Sequence, residues 1–306
     1  MHLPPDRSHI STEQPHPESA QFDQETIARR ITMMIEDHRT VTTALEAAAP
    51  AIEAFMADLV PRFRRGGRLI YLGAGTSGRL GVLDAAECPP TFQSDPDQVL
   101  GIIAGGETAL RRSSEGAEDD PDGAHDALTA LRLSADDTLL GIAAGGTTPY
   151  VLGGIAIAHE LGAMTGLLCC SERPSPPGCT HLIVLHTGPE ILTGSTRLKA
   201  GSATKITLNI ITTTLFAELG KIYGRLMVDL RATNDTLFDR AIRVVMTLCP
   251  DLDRPAAAAL LDRAGRHVKT ALVMHRLGCT PAEAQAALDT HAGHLRPLLG
   301  PRLDQA

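Results

Sequence analysis

Residues 68–80 read RLIYLGAGTSGRL. The apolar run from Leu69 to Leu72 predicts a buried strand, and the glycine and hydroxyl residues after it predict a loop that opens a helix. Glycines let the backbone approach an anion closely, and the amides at a helix N-terminus supply positive potential to hold it. The junction therefore predicts a phosphate site, for which the candidate residues are Gly75, Thr76, Ser77 and Gly78.

Four more apolar segments of strand length follow this one, and helical or loop segments separate them. The five predicted strands are residues 69–72, 99–104, 138–143, 165–169 and 182–186. Nearly continuous apolar strands joined by helices are typical of a parallel sheet that is covered on both faces. The expected fold class is α/β, with a five-stranded parallel sheet flanked by helices and a small helical appendage at the C-terminal end.

The segments on either side of the sheet are predicted to be helical. Apolar residues recur at helical spacing over residues 24–63, which predicts two helices, and a long amphipathic stretch covers 197–219. Another helix is predicted to begin near Asp235. Shorter helices are predicted at 255–265, at 268–277, after Thr280-Pro281 and around 293–299. The predicted division is an N-terminal arm with helices over 1–62, a sheet domain over 63–248 and a helical bundle over 249–306.

The composition narrows the functional class. With 306 residues, 43% hydrophobic and 21% charged, the chain has the profile of a globular protein. A formal net charge of -8 provides no general attraction for nucleic acid or for an anionic membrane, and an aromatic content of 3% leaves few surfaces for stacking bases. The expected partner is a small metabolite, with no nucleic acid and no membrane.

The cysteines indicate reduced thiols. The six of them lack the paired CxxC spacing of a zinc site, no signal-peptide pattern is present, and no apolar run approaches the ~20 residues of a membrane span. We therefore expect a cytoplasmic protein without a structural metal.

The first loop satisfies the GxGxxG pattern, so dinucleotide binding is one interpretation. A Rossmann site places an acidic residue at the end of the next strand to bind the ribose hydroxyls. Here that strand ends in Ile103-Ala104-Gly105-Gly106, without a carboxylate. The sequence therefore disfavours a nicotinamide cofactor, and no cofactor is expected.

A second loop of related chemistry follows the third predicted strand. Residues 144–150 read AGGTTPY, and its candidate binding residues are Gly145, Gly146, Thr147 and Thr148. One interpretation is that the threonines only cap the helix that begins at Pro149. The other is that both loops, at the carboxyl ends of parallel strands, form one phosphosugar pocket.

Carboxylates and a basic segment complete the candidate residues. Glu87 lies in an irregular, proline-containing segment directly after the helix led by the first loop. The acidic run 115–120 is either a solvated helix end or contains a residue that faces Glu87 as an acid/base partner. In residues 190–205, Ser195 or Thr196 is expected to cap the long helix. The basic residues of this segment are either solvated or lie near an anion. The candidates in this last segment are Glu190, Ser195, Thr196 and Lys199.

Several segments, in order, resemble those of the N-acetylmuramic acid 6-phosphate etherases, a family with the SIS (sugar isomerase) fold. The matching segments are residues 68–80, 84–92 (DAAECPPTF), 115–119 (EGAED), 148–150 (TPY), 194–201 (GSTRLKAG), 227–229 and 232–234. The resemblance implies that the chain cleaves the D-lactyl ether of N-acetylmuramic acid 6-phosphate by elimination and then adds water. It further implies that neither metal nor redox cofactor takes part and that the chain is a homodimer.

The resemblance also implies catalytic residues. Two glutamates of the family fall on Glu87 and Glu118. Glu87 is expected to protonate the departing lactate, with its pKa raised by burial under the apolar residues 89–92, and Glu118 is expected to move the C2 proton or position water. Two alternatives remain within the same fold: a non-catalytic sugar phosphate sensor similar to the glucokinase regulatory proteins, and an aldose-ketose isomerase.

Three positions depart from the family pattern. Gly145 stands where the family usually has serine, Thr147 where it has arginine, and His16 where it has asparagine. The first two remove a hydroxyl and a charge from the second loop. The polar N-terminal arm around His16 is expected either to reach across to a partner chain or to be disordered.

Overall fold

The computed structural model describes residues 6–229 and 234–300, except for the side chain of Glu115. Contacts divide the chain into two compact units. The first contains residues 1–86 and 96–211, and the second contains 87–95 and 212–306. The boundaries predicted from the sequence, after residues 62 and 248, stay a prediction.

A five-stranded parallel sheet forms the centre of the first unit, which confirms the predicted fold class. Its strands are β1 (Leu69–Gly73), β2 (Val99–Ile103), β3 (Thr138–Ile142), β4 (Met164–Cys169) and β5 (His181–Val184). The spatial order is β2-β1-β3-β4-β5. Because the strand order reverses between β1 and β3, the loops that follow these two neighbouring strands emerge at a switch point of the sheet.

The helices of the first unit cover this sheet. They are α1 (Ile27–Asp37), α2 (Thr40–Arg64), the first part of α3 (Gly75–Phe92), α4 (Gly106–Arg111), α5 (His125–Ala130), α6 (Pro149–Glu160) and the first part of α7 (Lys199–Glu218). Every residue of β1, β3 and β4 is buried, as expected for central strands with helices on both faces.

A buried polar cluster attaches α3 and α7 to the sheet. The Tyr71 hydroxyl donates to Asp84 Oδ2 (2.9 Å), and Asn209 Nδ2 donates to Asp84 Oδ1 (2.7 Å). Asp84 lies on α3 and is 5% exposed. A buried carboxylate needs such donors, so this cluster fixes the rotation of α3 and the helix face that follows the first loop.

The segment after the first loop differs from its prediction. The prediction of an irregular segment at Glu87 is wrong, because α3 continues through Glu87, Pro89 and Pro90 to Phe92. Each of these prolines removes one helical N–H donor, and α3 ends two residues after Pro90. Gln93, with a φ of +51°, then ends the helix.

The second unit is mainly helical. Its elements are β6 (Ile222–Tyr223), β7 (Leu226–Met227), α8 (Asp235–Leu248), α9 (Arg254–Arg263), α10 (Val268–Leu277), α11 (Pro281–Thr290) and α12 (Arg296–Leu299). The helices predicted near Asp235, at 255–265, at 268–277 and after Thr280-Pro281 are therefore confirmed. The last helix is shorter than predicted because Ala292 and Gly293 adopt positive φ angles of 49° and 76°.

Among the described residues, no helix is both long enough and apolar enough to cross a bilayer.

Candidate active site

The first loop is shorter than its sequence suggests. Helix α3 begins at Gly75, whose φ is +51°, so Thr76 and Ser77 belong to the first helical turn. The first backbone bond of this turn joins the Gly78 amide to the Ala74 carbonyl (3.1 Å). The amides of the three residues before Gly78 have no intrahelical partner, as at any helix N-terminus. They and the two hydroxyls can bind an anion.

Gly78 has a packing role. A Cβ on Gly78 would come within 2.6 Å of Ile103 Cγ1 and 2.8 Å of the Gly73 carbonyl oxygen. Glycine at this position allows α3 to begin close against β1 and β2. Contact between Gly78 and a ligand stays a prediction.

A groove beside the first turn contains two basic residues. It has a volume of about 420 Å³ and is lined by Thr76, Leu80, Arg197, Gly201, Ser202, Lys205 and Ile206. The Thr76 methyl lies 3.6 Å from the position of a Cβ on Gly201. The start of α7 and the start of α3 are thus neighbours, and the groove between them has a positive lining.

The second loop leaves its hydroxyls uncommitted to the helix that follows. Thr148 stands at the N-cap of α6 and Pro149 at the first helical position, but the Thr148 side chain makes no capping hydrogen bond. The loop turns tightly at Gly146, which has a φ of +72° and whose amide donates to the Ala143 carbonyl (2.8 Å). The structure therefore does not show the hydrogen bond that a purely capping role of Thr148 would require. Thr147 and Thr148 are half-buried at the carboxyl end of β3.

Glu118 is held beside the second loop. Its carbonyl oxygen accepts the Tyr150 amide (3.1 Å), which fixes the chain at Glu118 to the first turn of α6. The side chain is half-buried. This bond joins two segments that are 32 residues apart in sequence, and it brings one of the candidate glutamates to the candidate phosphate loop.

Glu87 is exposed on α3. The apolar cover expected from residues 89–92 does not form: Pro90 is exposed, while Phe92 is buried and stacks on Phe216 with ring centroids 4.6 Å apart. The expectation that this segment buries the Glu87 carboxyl is therefore wrong for a single chain, because Phe92 is used in the core of its own unit.

The start of α7 is closed by a carboxylate of the same chain. Glu190 is fully buried, and its two oxygens accept the amides of Lys199 (3.1 Å) and Ala200 (2.9 Å). Burial raises the pKa of Glu190. The prediction that Ser195 or Thr196 caps this helix is wrong, since the Glu190 carboxylate takes the first amides.

The Lys199 side chain is also committed. Its ammonium forms an ion pair with Asp37 Oδ1 at 2.5 Å, and both side chains are 3% exposed. His16 Nε2 lies 3.3 Å from the same Asp37 oxygen. Direct contact of Glu190, Ser195, Thr196 or Lys199 with a substrate stays a prediction.

The N-terminal arm packs on its own unit. Ile10 and Thr12 are buried, Ser11 Oγ lies 2.8 Å from Ser171 Oγ, and the Gly194 amide donates to the Thr12 carbonyl oxygen (3.2 Å). These contacts contradict disorder of residues 10–12, whereas contact of the arm with a partner chain stays a prediction. The arm lies over the segments that follow β4 and precede α7.

Two residues with tertiary contacts in this unit, Asp84 and Arg173, are not among the site residues predicted from the sequence. Asp84 organises the buried cluster described above. Arg173 follows β4, and its side chain lies against the backbone of Gly146. No local pattern singles out Arg173, because its position at the second loop depends on the pairing of β3 with β4.

Comparison with known proteins gives one family match and many relatives. Residues 51–159 match the family of the glucokinase regulatory protein N-terminal SIS domain. An N-acetylmuramic acid 6-phosphate etherase of Parasynechococcus marenigrum is 48% identical over 298 residues, 97% of this chain and 94% of the relative. One of Gloeobacter violaceus is 49% identical over 295 residues, covering 96% of each chain.

Solved structures are more distant. A phosphoheptose isomerase from Neisseria gonorrhoeae is 16% identical with a TM-score of 0.47, and the similarity covers 63% of this chain and 100% of that one. One from Francisella tularensis is 17% identical, also with a TM-score of 0.47, over 63% of this chain and 100% of its own.

Proposed function

The chain belongs to the N-acetylmuramic acid 6-phosphate etherase family, and we propose that it cleaves the D-lactyl ether of N-acetylmuramic acid 6-phosphate. The products are N-acetylglucosamine 6-phosphate and D-lactate, as in the recycling of cell-wall amino sugars. The observation that carries this proposal is the 48% identity with an etherase over 97% of the chain. The reaction is that of a carbon-oxygen lyase.

The chemistry requires proton transfers at two carbons. In the open-chain sugar, the C1 aldehyde acidifies the proton on C2, and a base removes it. The electron pair forms a C2–C3 double bond as the C3–O bond breaks, and the departing lactate oxygen takes a proton. Water then adds across the double bond, with oxygen at C3 and a proton at C2. Two carboxyl groups can perform these transfers as general acid and base.

We assign the transfers to Glu118 and Glu87. Support for Glu118 is the hydrogen bond from the Tyr150 amide to its carbonyl oxygen, which attaches its backbone to the first turn of α6, next to the second loop. Support for Glu87 is the resemblance of residues 84–92 to the family and the exposure of its carboxyl, which leaves it accessible. Glu87 is assigned to the lactate oxygen and Glu118 to the C2 proton or the water.

The phosphate is assigned to the two loops. The supporting observations are the unused amides at the start of α3, the hydroxyls of Thr76 and Ser77, and a Thr148 hydroxyl that does not cap its own helix. Amides, hydroxyls and helix N-termini are the groups that bind phosphate in proteins. Thr76→Ala or Ser77→Ala should raise KM more than it lowers kcat.

We further propose that the enzyme is a homodimer in the cytoplasm. One face of α1 carries three exposed isoleucines, Ile27 (77%), Ile31 (54%) and Ile35 (62%), at four-residue spacing. Such a continuous apolar stripe is typical of a helix that packs against another surface. A second copy would cover it. Light scattering should give a dimer mass, and Ile31→Glu should shift it towards the monomer.

The activity itself is tested with purified protein and N-acetylmuramic acid 6-phosphate, without added metal or nucleotide. A lactate dehydrogenase specific for the D isomer should report one D-lactate per sugar consumed. Glu87→Gln should abolish release, whereas Glu107→Gln, which removes an exposed carboxylate on α4, should leave it unchanged. Binding of the sugar phosphate without lactate release would contradict the proposal and favour a sensor. Interconversion of an aldose and a ketose phosphate without lactate would favour an isomerase.

A further inference from the structure

The second loop lacks a positive charge of its own. Residues 144–150 supply hydroxyls and backbone amides but contain no lysine or arginine. A charged donor binds an anion roughly twice as strongly as a neutral one, and a chain with a net charge of -8 has no general attraction for a phosphate ester. A cation that serves this loop must come from another segment.

Arg173 occupies that position. A Cβ on Gly146 would lie 2.7 Å from Arg173 Cδ and 3.5 Å from Arg173 Nη1, so the guanidinium side chain rests on the loop backbone. It approaches from the segment after β4, the strand that pairs with β3. Only glycine at position 146 leaves this space, and its φ of +72° also favours glycine.

The guanidinium has unmet hydrogen-bonding capacity. Its Nη1 is buried and has no hydrogen-bond partner among the residues that the structure describes. Its Nε donates to the Pro174 carbonyl oxygen (3.1 Å), and the adjacent Glu172 carboxylate lies 3.5 Å from His186 Nε2. A buried N–H of a permanent cation is costly without an acceptor, so an acceptor at the loop would stabilise this arrangement.

The two cysteines at the end of β4 do not supply this anion. The nearest thiol on β4, Cys169, is buried, and burial raises its pKa to about 11, so it is a neutral thiol at physiological pH. Cys170 is buried as well, with a pKa raised to about 12 by burial. Neither supplies a thiolate to neutralise Arg173.

We propose that Arg173 binds the phosphate of the substrate at the second loop, beside the hydroxyls of Thr147 and Thr148. A guanidinium presents two parallel N–H groups to two phosphate oxygens, a geometry that an ammonium group does not reproduce. Arg173 thus supplies, from the segment after β4, the charge that Thr147 does not provide. The identity of the phosphate ester rests on the proposed function, whereas recognition of the phosphate group does not.

The experiment measures phosphate binding with and without turnover. Isothermal titration with inorganic phosphate and with N-acetylglucosamine 6-phosphate compares wild type, Arg173→Gln and Arg263→Gln. Arg263 is exposed on α9, and its substitution changes the net charge equally. We expect Arg173→Gln to weaken the binding of both ligands about 10- to 100-fold, since a hydrogen bond to a charged group is lost. KM should rise by a similar factor, with kcat nearly unchanged. Arg263→Gln should match wild type.

Two results would overturn the assignment. One is an unchanged affinity of Arg173→Gln for inorganic phosphate. The other is weaker inhibition by D-lactate with phosphate affinity retained, which would place Arg173 at the lactyl carboxylate. Arg173→Lys keeps the positive charge but loses the paired N–H donors of the guanidinium, so it should weaken phosphate binding by a smaller factor. If Arg173→Gln does not fold, the affinity of Arg173→Lys for phosphate decides the question. Phosphate titration needs no turnover, so its result is separate from a failure of wild type to release D-lactate.

Discussion

Two helices of this protein begin with the same dipeptide and use its threonine differently. At α11, the Thr280 side chain accepts the Glu283 amide (3.3 Å), and Glu283 Oε2 accepts the Thr280 amide (2.8 Å). At α6, Thr148 also precedes a proline and also has an extended backbone, but its side chain makes no capping bond. The third helical residue there is Val151, which cannot reciprocate as glutamate does.

The difference lies in which group satisfies the helix. In α6, the carbonyl oxygen of Glu118 accepts the Tyr150 amide, so a distant backbone segment contributes at this helix start. The Thr148 hydroxyl is thereby spared, and Glu118 is fixed beside it. In α11, the hydroxyl is used internally. The same local signal therefore marks a purely structural start in one helix and a candidate binding site in the other.

Among the variants that test this comparison, the largest effect is expected from replacing Glu118. Glu118→Gln keeps the backbone bond to Tyr150 and the side-chain shape but removes the carboxyl chemistry. We expect kcat to fall about 10²- to 10⁴-fold, the range for losing a general acid or base, with KM little changed. Steady-state D-lactate release measures this. A kcat within a few fold of wild type would show that Glu118 only anchors α6.

The start of α7 is a third case for comparison, because the Glu190 carboxylate accepts its first amides. Glu190→Ala leaves two buried amides without acceptors, so we expect a loss of about 2–4 kcal/mol in the free energy of unfolding. Urea denaturation measures it. An unchanged urea midpoint would contradict the capping role.

Glu190→Gln is the matched variant, because its amide oxygen still accepts a hydrogen bond from one of the two α7 amides. Its loss in the free energy of unfolding should be smaller than that of Glu190→Ala. The pKa of Glu190 is raised by burial, so the folded protein binds this proton more tightly than the unfolded chain. Relative to Glu190→Gln, wild type should therefore gain stability as pH falls towards 4.5, the ordinary value of this group, and lose that gain as pH rises through the folded pKa.

The two threonines can be compared directly. Thr280→Ala should cost about 1 kcal/mol of stability, the usual value for an N-cap, and leave KM unchanged. Thr148→Ala should cost less than about 0.5 kcal/mol, as for a side chain without a capping bond, and raise KM about 5- to 10-fold through a lost hydrogen bond to the substrate. Thermal melts and D-lactate kinetics on both variants check this. Equal stability losses with equal KM values would remove the distinction between the two helix starts.

The smallest expected effect comes from restoring a hydroxyl to the second loop. A Cβ on Gly145 would contact Ile10 Cγ2 at 3.6 Å, an ordinary van der Waals distance, so serine fits without displacement. Gly145→Ser should lower KM about 2- to 5-fold if the added hydroxyl reaches the phosphate, which corresponds to a modest net hydrogen bond. Gly145→Ala is the control and should leave KM unchanged. An unchanged KM for Gly145→Ser would place position 145 outside the phosphate contacts.

Much of the fold could be predicted from local patterns. The five strands were expected within one or two residues of their observed bounds, because near-continuous apolar runs between helical segments have few other arrangements. The capped start of α11 was expected from Thr280-Pro281. The segment around Glu87 was predicted wrongly, since prolines usually end helices, whereas here they occupy the last turn of α3.

The candidate site was less predictable because its contacts join distant segments. Ser195 and Thr196 carried the local signal for a helix cap, yet Glu190 takes the α7 amides. Lys199 carried the signal of a basic site residue, yet it pairs with Asp37, 162 residues away in sequence. Buried charges select each other by proximity in the folded chain, and no spacing rule in the sequence encodes that choice.

The sequence by itself determined the parallel sheet, the two loops at its carboxyl edge, and the family, because apolar periodicity, glycine positions and long ordered motifs are local properties of the chain. Only the tertiary structure decided which polar groups are used internally and which are left for a ligand. In the folded chain, Glu190 caps α7 and the Glu118 carbonyl oxygen, not the Thr148 hydroxyl, accepts an amide at the start of α6. The Arg173 side chain lies against Gly146. Each outcome depends on polar groups that come into contact only in the folded chain. Once buried, such groups lose water and must pair with whichever partners the fold places beside them.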